Sequence, residues 1–301
     1  PPRSDVADES LFTPAFVKRL EVLYIISRKI ASGQMRAERR TKKIGSGIEF
    51  ADHRAYSPGD DFRNLDWSIY MRTRKLLLRL FEEEEDLYIY LLVDCSDSMA
   101  LGIDGHTKLR YAKELAAALS YIGLANLDRV SIIPFNTKLT GRLPPSRGRG
   151  QIYKVFKFLD TLEAGGQTSI KDSFRTFVTQ NKRRGLATVI SDFYDPEGFV
   201  EGMNFLRYNK FEVIAMQLYD QTELNPALRG DLSLVDCETG EVRDITVTAR
   251  MLKAYREAFD DFSSELEDFC TKRQLLYFRS AIQDPFDDLV LRVFRAGGFL
   301  K

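Results

Sequence analysis

Residues 87–99 read LYIYLLVDCSDSM: seven apolar residues, broken by no charge, that give way at once to a polar loop opening with Asp94. A short run rich in Leu, Ile, Val and Tyr is the pattern of a strand buried on both faces, and such strands belong to parallel sheets. In open parallel sheets the ligand site lies just beyond the carboxyl ends of the strands. Asp94, Ser96 and Ser98 fall there. Their alternate spacing can bring one carboxylate and two hydroxyls to a common point with no nitrogen or thiolate beside them, and oxygen-only sets favour hard cations, magnesium first. The same residue types are also ordinary turn and N-cap residues, so the loop by itself leaves both readings open.

A chain of 301 residues can bury one large core, or a core with a smaller companion. Its apolar, aromatic and charged fractions are those of a globular protein. Lys plus Arg and Asp plus Glu are both 44, so no global field calls for nucleic acid or an anionic membrane as partner. Cys95, Cys237 and Cys270 form an odd, scattered set with no zinc spacing. That usage suits a reducing compartment, and the expected location is the cytoplasm. No apolar run approaches the roughly 20 residues a membrane helix needs, and no signal-peptide pattern opens the chain.

Working outward, Phe16, Leu20, Leu23 and Ile26 or Ser27 make a helical stripe over residues 11–30, with Gly33 as its expected end. A basic patch follows at Arg36, Arg39, Arg40, Lys42 and Lys43. Without interleaved aromatics it reads as a solvated face or a contact for an acidic protein. Ser57-Pro58-Gly59-Asp60 is turn chemistry leading into a helix expected at 60–71, with Trp67 expected in the core. A strand at 76–80 and an acidic run at 82–86 lead to the central strand.

After the central loop the alternation becomes regular. Helices are expected at 107–125, 151–162, 170–182, 196–208, 249–270 and 286–295, and strands at 130–135, 186–191, 211–218 and 275–279. The first of these helices is capped by Asp104 or Thr107, and residues 143–150 read as a loop. Residues 231–247 break the pattern with two alternating runs around Glu238-Thr239-Gly240, a hairpin signal. Strands alternating with helices of this length argue a doubly wound α/β domain.

Three separated loops can then be compared. Asp94, Ser96 and Ser98 follow one expected strand, Asp192 ends another, and Thr168 lies on a glycine turn before a helix. All should meet at the carboxyl edge of one parallel sheet. Three hydroxyls and two carboxylates fit octahedral magnesium or manganese. Neutral ligands leave much of the cation's charge uncompensated, so an open position can attract a carboxylate from another molecule.

These residues resemble the metal-ion-dependent adhesion site of von Willebrand factor type A domains at Asp94, Ser96, Ser98, Thr168 and Asp192. The resemblance implies an A-like fold: a doubly wound, mostly parallel sheet flanked by helices. It also implies that the hydroxyls coordinate Mg2+ (or Mn2+ or Ca2+), that the aspartates bind it directly or through water, and that an Asp or Glu of a partner completes the shell.

Glu49-Phe50-Ala51-Asp52, Tyr56 to Asp61, Asp66-Trp67 and the segment 76–85 are further similar to the family called domain of unknown function 58. That similarity implies a bacterial or archaeal, non-enzymatic, metal-dependent adaptor. Its implied partner is a MoxR-type AAA+ ATPase, with which it would act in protein remodelling or maturation. Members often carry amino-terminal membrane helices, and no such span is legible here. The expected organisation is an amino-terminal helix and α+β region at 1–85, then the A-like domain at 86–301 with a hairpin insertion near 231–247.

Two rival functions compete with this one. An aspartyl-phosphate phosphatase would use Asp94 but usually needs a second Asp where this chain has Ser96, and a serine hydrolase would need a base that neither His53 nor His106 supplies in context. No Walker A sequence or dinucleotide glycine fingerprint occurs. A nucleic-acid binder would use the patch at 36–43 with Arg147 and Arg149, against a neutral overall charge and no recognised motif.

Overall fold

The apolar run becomes strand β1 (Tyr88–Asp94), which lies inside a six-stranded sheet. The computed structural model describes residues 11–38, 44–45, 49–82, 87–103 and 105–297. The other strands of the sheet are β2 (Arg129–Phe135), β3 (Leu143–Ser146), β4 (Leu186–Ser191), β5 (Glu212–Tyr219) and, at the carboxyl end, β8 (Leu276–Ala281). Two further strands, β6 (Gly230–Val235) and β7 (Val242–Val247), pair only with each other as the inserted hairpin. The sheet order is β8-β5-β4-β1-β2-β3, all parallel except the edge pair β2–β3.

Successive β1 residues point to opposite faces, and each face has its own core. Ile89, Leu91 and Val93 pack with α1 (Pro14–Glu38), α2 (Lys108–Ala125), α3 (Ile152–Asp160) and α7 (Phe286–Arg295). Tyr90 and Leu92 face α4 (Ile170–Gln180), α5 (Val200–Tyr208) and α6 (Ala249–Lys272). Each fully buried Leu, Ile or Phe contributes about 1.5–3 kcal/mol of apolar transfer. Helix α2 sits close to the sheet because Gly123 has no Cβ: one built there would come within 2.8 Å of Ile89 and 2.9 Å of Val130. Its cap is Thr107, whose hydroxyl accepts from the Arg110 N–H at 3.1 Å. The result is a doubly wound, mostly parallel sheet flanked by helices on both faces.

The chain divides into a larger unit, residues 1–31 with 87–301, and a smaller one, residues 32–86. The amino-terminal helix was expected to go with the smaller region, but Phe16, Leu20, Leu23 and Ser27 are buried and the three apolar ones join the larger core. Arg19 adds a 2.6 Å ion pair to Asp287. The helix also runs past Gly33. A single interior glycine costs about 1 kcal/mol relative to alanine, and the helix formers Gln34, Met35, Arg36 and Ala37 around it keep the helix going.

The smaller unit is a three-stranded antiparallel sheet of Ile44–Gly45, Leu77–Glu82 and Glu49–Ala55. The helix expected at 60–71 is instead a 3-10 turn (Phe62–Asn64) followed by a helix at Trp67–Thr73. Asp66 decides this: its side chain caps the Ile69 N–H at 3.1 Å while also meeting His53 at 3.1 Å. Trp67 opens that short helix and is 56% exposed, so it is not a core residue. Residues 39–43 of the basic patch, 83–86 of the acidic run, and Asp104 lie outside the described residues.

One element read as loop is a strand. β3 carries Pro144 and Pro145, which cannot donate to a ladder and are tolerated at an edge, where β3 pairs with β2 at only Ser146–Val130 and Leu143–Ile132.

Candidate metal centre

Asp94 is the last residue of β1, and the chain turns sharply after it. Its Oδ1 accepts from the Ser96 N–H at 2.9 Å, and the Ser96 and Ser98 hydroxyls lie 3.0 Å apart. The loop is fastened on two sides. Cys95 donates its N–H to Phe135 O (2.8 Å), and Gly165 N–H donates to Cys95 O (2.8 Å). Asp97 exchanges two bonds with Gly166, backbone N–H to Gly166 O and Oδ2 from Gly166 N–H, each 2.9 Å. Gly166 has φ +82°, a conformation that favours glycine. Asn136 completes the frame, donating Nδ2–H to Gly165 O at 2.7 Å and accepting at its carbonyl from Ser169 N–H. This frame holds the turn that carries Thr168.

Asp192 follows β4, the neighbour of β1 in the sheet. The residue before it, Ser191, donates its hydroxyl to Asp94 Oδ2 at 2.5 Å, so the two strand ends are directly coupled. Asp192 Oδ1 accepts from the Tyr194 N–H at 3.1 Å. Its Oδ2 receives the Lys108 ammonium at 2.7 Å, and the same Nζ lies 2.6 Å from Glu223 Oε1 and 5.0 Å from the Tyr194 ring centre. Lys108, the first residue of α2, is fully buried. Glu223 is held by a capping box with Asp220.

Asp94, Ser96, Ser98, Thr168 and Asp192 are all buried. Burial, and then the Asp192 charge, push the Asp94 carboxyl up to about 7, with the Ser191 and Ser96 donors partly offsetting them. Lys108 is pulled above the usual lysine range: burial opposes its charge, but Asp192 and Glu223 outweigh it.

A further acid reaches Thr168 from far along the chain. Thr168 donates its hydroxyl to Glu238 Oε1 at 3.1 Å and its N–H to Oε2 at 3.3 Å. Glu238 lies in the hairpin turn, where Asp236 accepts from the Glu238 and Thr239 N–H groups at 3.0 and 2.7 Å. Burial raises the Glu238 carboxyl above its ordinary value and Asp192 adds to the rise, while Thr168 and Ser98 hydrogen bonds oppose it.

The arrangement therefore brings Asp94, Ser96 and Ser98 into one hydrogen-bonded string, couples Asp192 to it through Ser191, and joins Thr168 through Glu238. Among the described residues no three His, Cys, Asp or Glu side chains gather into a metal-holding group. A cation here would rest mainly on hydroxyls. The donor set can hold one: Asp94, Ser96, Ser98 and Thr168 offer oxygen, and among the described residues Asp94 meets neutral hydrogen-bond donors while its charge is opposed by Asp192, whose Oδ2 is already held by the Lys108 ammonium. Lys108, Glu223, Ser191 and Glu238 were not legible as site residues. Nothing local marks any of them.

The profile of the family described as "Protein of unknown function DUF58" matches residues 52–265, and the chain belongs to that family. An uncharacterized protein of Mycobacterium tuberculosis is 26% identical over 248 residues, covering 81% of this chain and 76% of the relative. An uncharacterized protein of Mycobacterium avium is 31% identical over 120 residues, 39% of this chain and 70% of the relative. Among solved structures, the conserved hypothetical protein BatB from Bacteroides thetaiotaomicron aligns with a TM-score of 0.45 at 15% identity, over 69% of this chain and 96% of that one. No described helix is long and apolar enough to cross a membrane.

Proposed function

We propose that this chain is a metal-dependent protein-binding adaptor, without catalytic activity of its own. Asp94, Ser96, Ser98 and Thr168 would hold a divalent cation, Mg2+ first, with Asp192 bound directly or through water. The cation supplies uncompensated positive charge that draws an Asp or Glu from a partner protein. The partner class, by family resemblance, is a MoxR-type AAA+ ATPase, and the setting is remodelling or maturation of other proteins in the cytoplasm.

One observation carries the reading: a buried, oxygen-rich cluster in which, among the described residues, the Asp94 carboxylate is met by neutral donors at 2.5 and 2.9 Å. An ionised carboxylate in that position is costly unless a cation joins it. The test is Mn2+ titration of the purified chain followed by electron paramagnetic resonance. Mn2+ is expected to bind the native protein and to be lost from Asp94→Ala and Thr168→Ala, with the circular dichroism spectrum unchanged. A MoxR-type ATPase should be retained in Mg2+ and released by chelator. Equal retention in both conditions would overturn the proposal.

A further inference from the structure

The tip of the hairpin touches Thr168. Strands β6 and β7 are exposed over most of their length, and of residues 233–240 Glu238 alone is not exposed. The insertion starts at Gly230, at φ +81° with open space where a side chain would be, and returns to the body at Thr248, the cap of α6. Between these two ends the tip carries a polar anchor, Glu238. That anchor is a bidentate grip: both Glu238 oxygens accept from Thr168, one from the hydroxyl and one from the N–H.

We infer that Glu238 is an intramolecular ligand of the candidate centre, presenting on the hairpin tip the acid that a partner would otherwise donate, so that partner binding requires the hairpin to withdraw. This rests on the reading of the centre as a cation site. The chemistry is consistent with a cation-dependent latch. The Glu238 carboxylate accepts from Thr168 at the candidate centre, and a divalent ion held there would attract it and draw the hairpin down. An incoming carboxylate would then compete with a tethered one, whose effective concentration is on the order of millimolar for a short connection.

Two variants and one small probe test this. Glu238→Gln keeps the shape of the side chain and Glu238→Ala removes it; both lie on an exposed turn, and thermal melts would check folding. Mn2+ affinity is expected to fall about 10-fold in both variants, and acetate should restore it in Glu238→Ala while leaving the native protein unchanged. Hydrogen exchange across residues 230–247 should slow on adding Mn2+ to the native protein only. If Mn2+ binds native and variant chains equally, with no acetate effect and no change in hairpin exchange, Glu238 is not a ligand and the cation site stands. If Mn2+ binds none of them, the cation site itself falls and this inference with it.

Discussion

Strands β1 and β4 lie side by side, each ending in a buried aspartate at the same edge of the sheet, yet the two acids are treated differently. Asp192 leans on a buried ammonium shared with Glu223, whereas Asp94 is met by a serine hydroxyl and a backbone N–H. One acid is neutralised by the protein's own cation, while burial and the Asp192 charge push the other's carboxyl up to about 7. The contrast shows two ways in which adjacent buried carboxylates can be kept at low cost.

The largest effect is expected at Lys108. Lys108→Met removes the ammonium but keeps the apolar stem, leaving Asp192 and Glu223 without their cation. Removing one partner of a buried ion pair destabilises by about 3–5 kcal/mol, so urea unfolding should show a loss of that order. Adding Asp192→Asn to the same chain should recover part of it. Full stability in the single variant would mean that Asp192 does not depend on Lys108.

At Asp94 the comparison can be sharpened through pH. A carboxyl whose folded pKa is raised favours folding fully below its unfolded value, near 3.8, and loses that contribution as pH rises through about 7. In chelator, the melting temperature of the native protein should fall between pH 5 and pH 8. Asp94→Asn should flatten that dependence and stabilise the metal-free chain at pH 8 by an amount on the order of a few kcal/mol. Mg2+ should raise the native melting temperature more at pH 8 than at pH 5, since binding must displace the Asp94 proton. A flat native profile would argue against a protonated Asp94.

The smallest effect is expected where the loops are framed. Asp97→Ala removes the acceptor for the Gly166 N–H, a solvent-exposed bond of 2.9 Å. Unfolding should register about 0.5–1.5 kcal/mol. Mn2+ affinity should weaken while both strand-end aspartates stay in place, because the loosened turn is the one carrying Thr168. Unaltered affinity would show that the Asn136–Gly165 bond suffices to hold that turn.

Much of the larger unit could be read from local pattern. The apolar runs became β1, β2, β4, β5 and β8, and the alternating segments around residue 238 became the hairpin. Readings failed where a neighbour outvoted local preference. Gly33 did not end α1, Asp66 rather than Asp60 set the start of the Trp67 helix, and a proline pair entered a strand because only an edge was required of it.

By itself, the sequence determined the buried strand, the oxygen chemistry of the loop after it, and the sheet edge to which Thr168 and Asp192 would be delivered. These follow from periodicity and from the geometry of parallel sheets, both of which act over a few residues at a time. Only the tertiary structure decided that Lys108 neutralises Asp192 across 84 positions, that Ser191 bridges to Asp94 across 97, and that Glu238 meets Thr168 across 70. Such pairings depend on strand order and on where an insertion folds back, and their electrostatics depend on the exclusion of water, which no local pattern encodes.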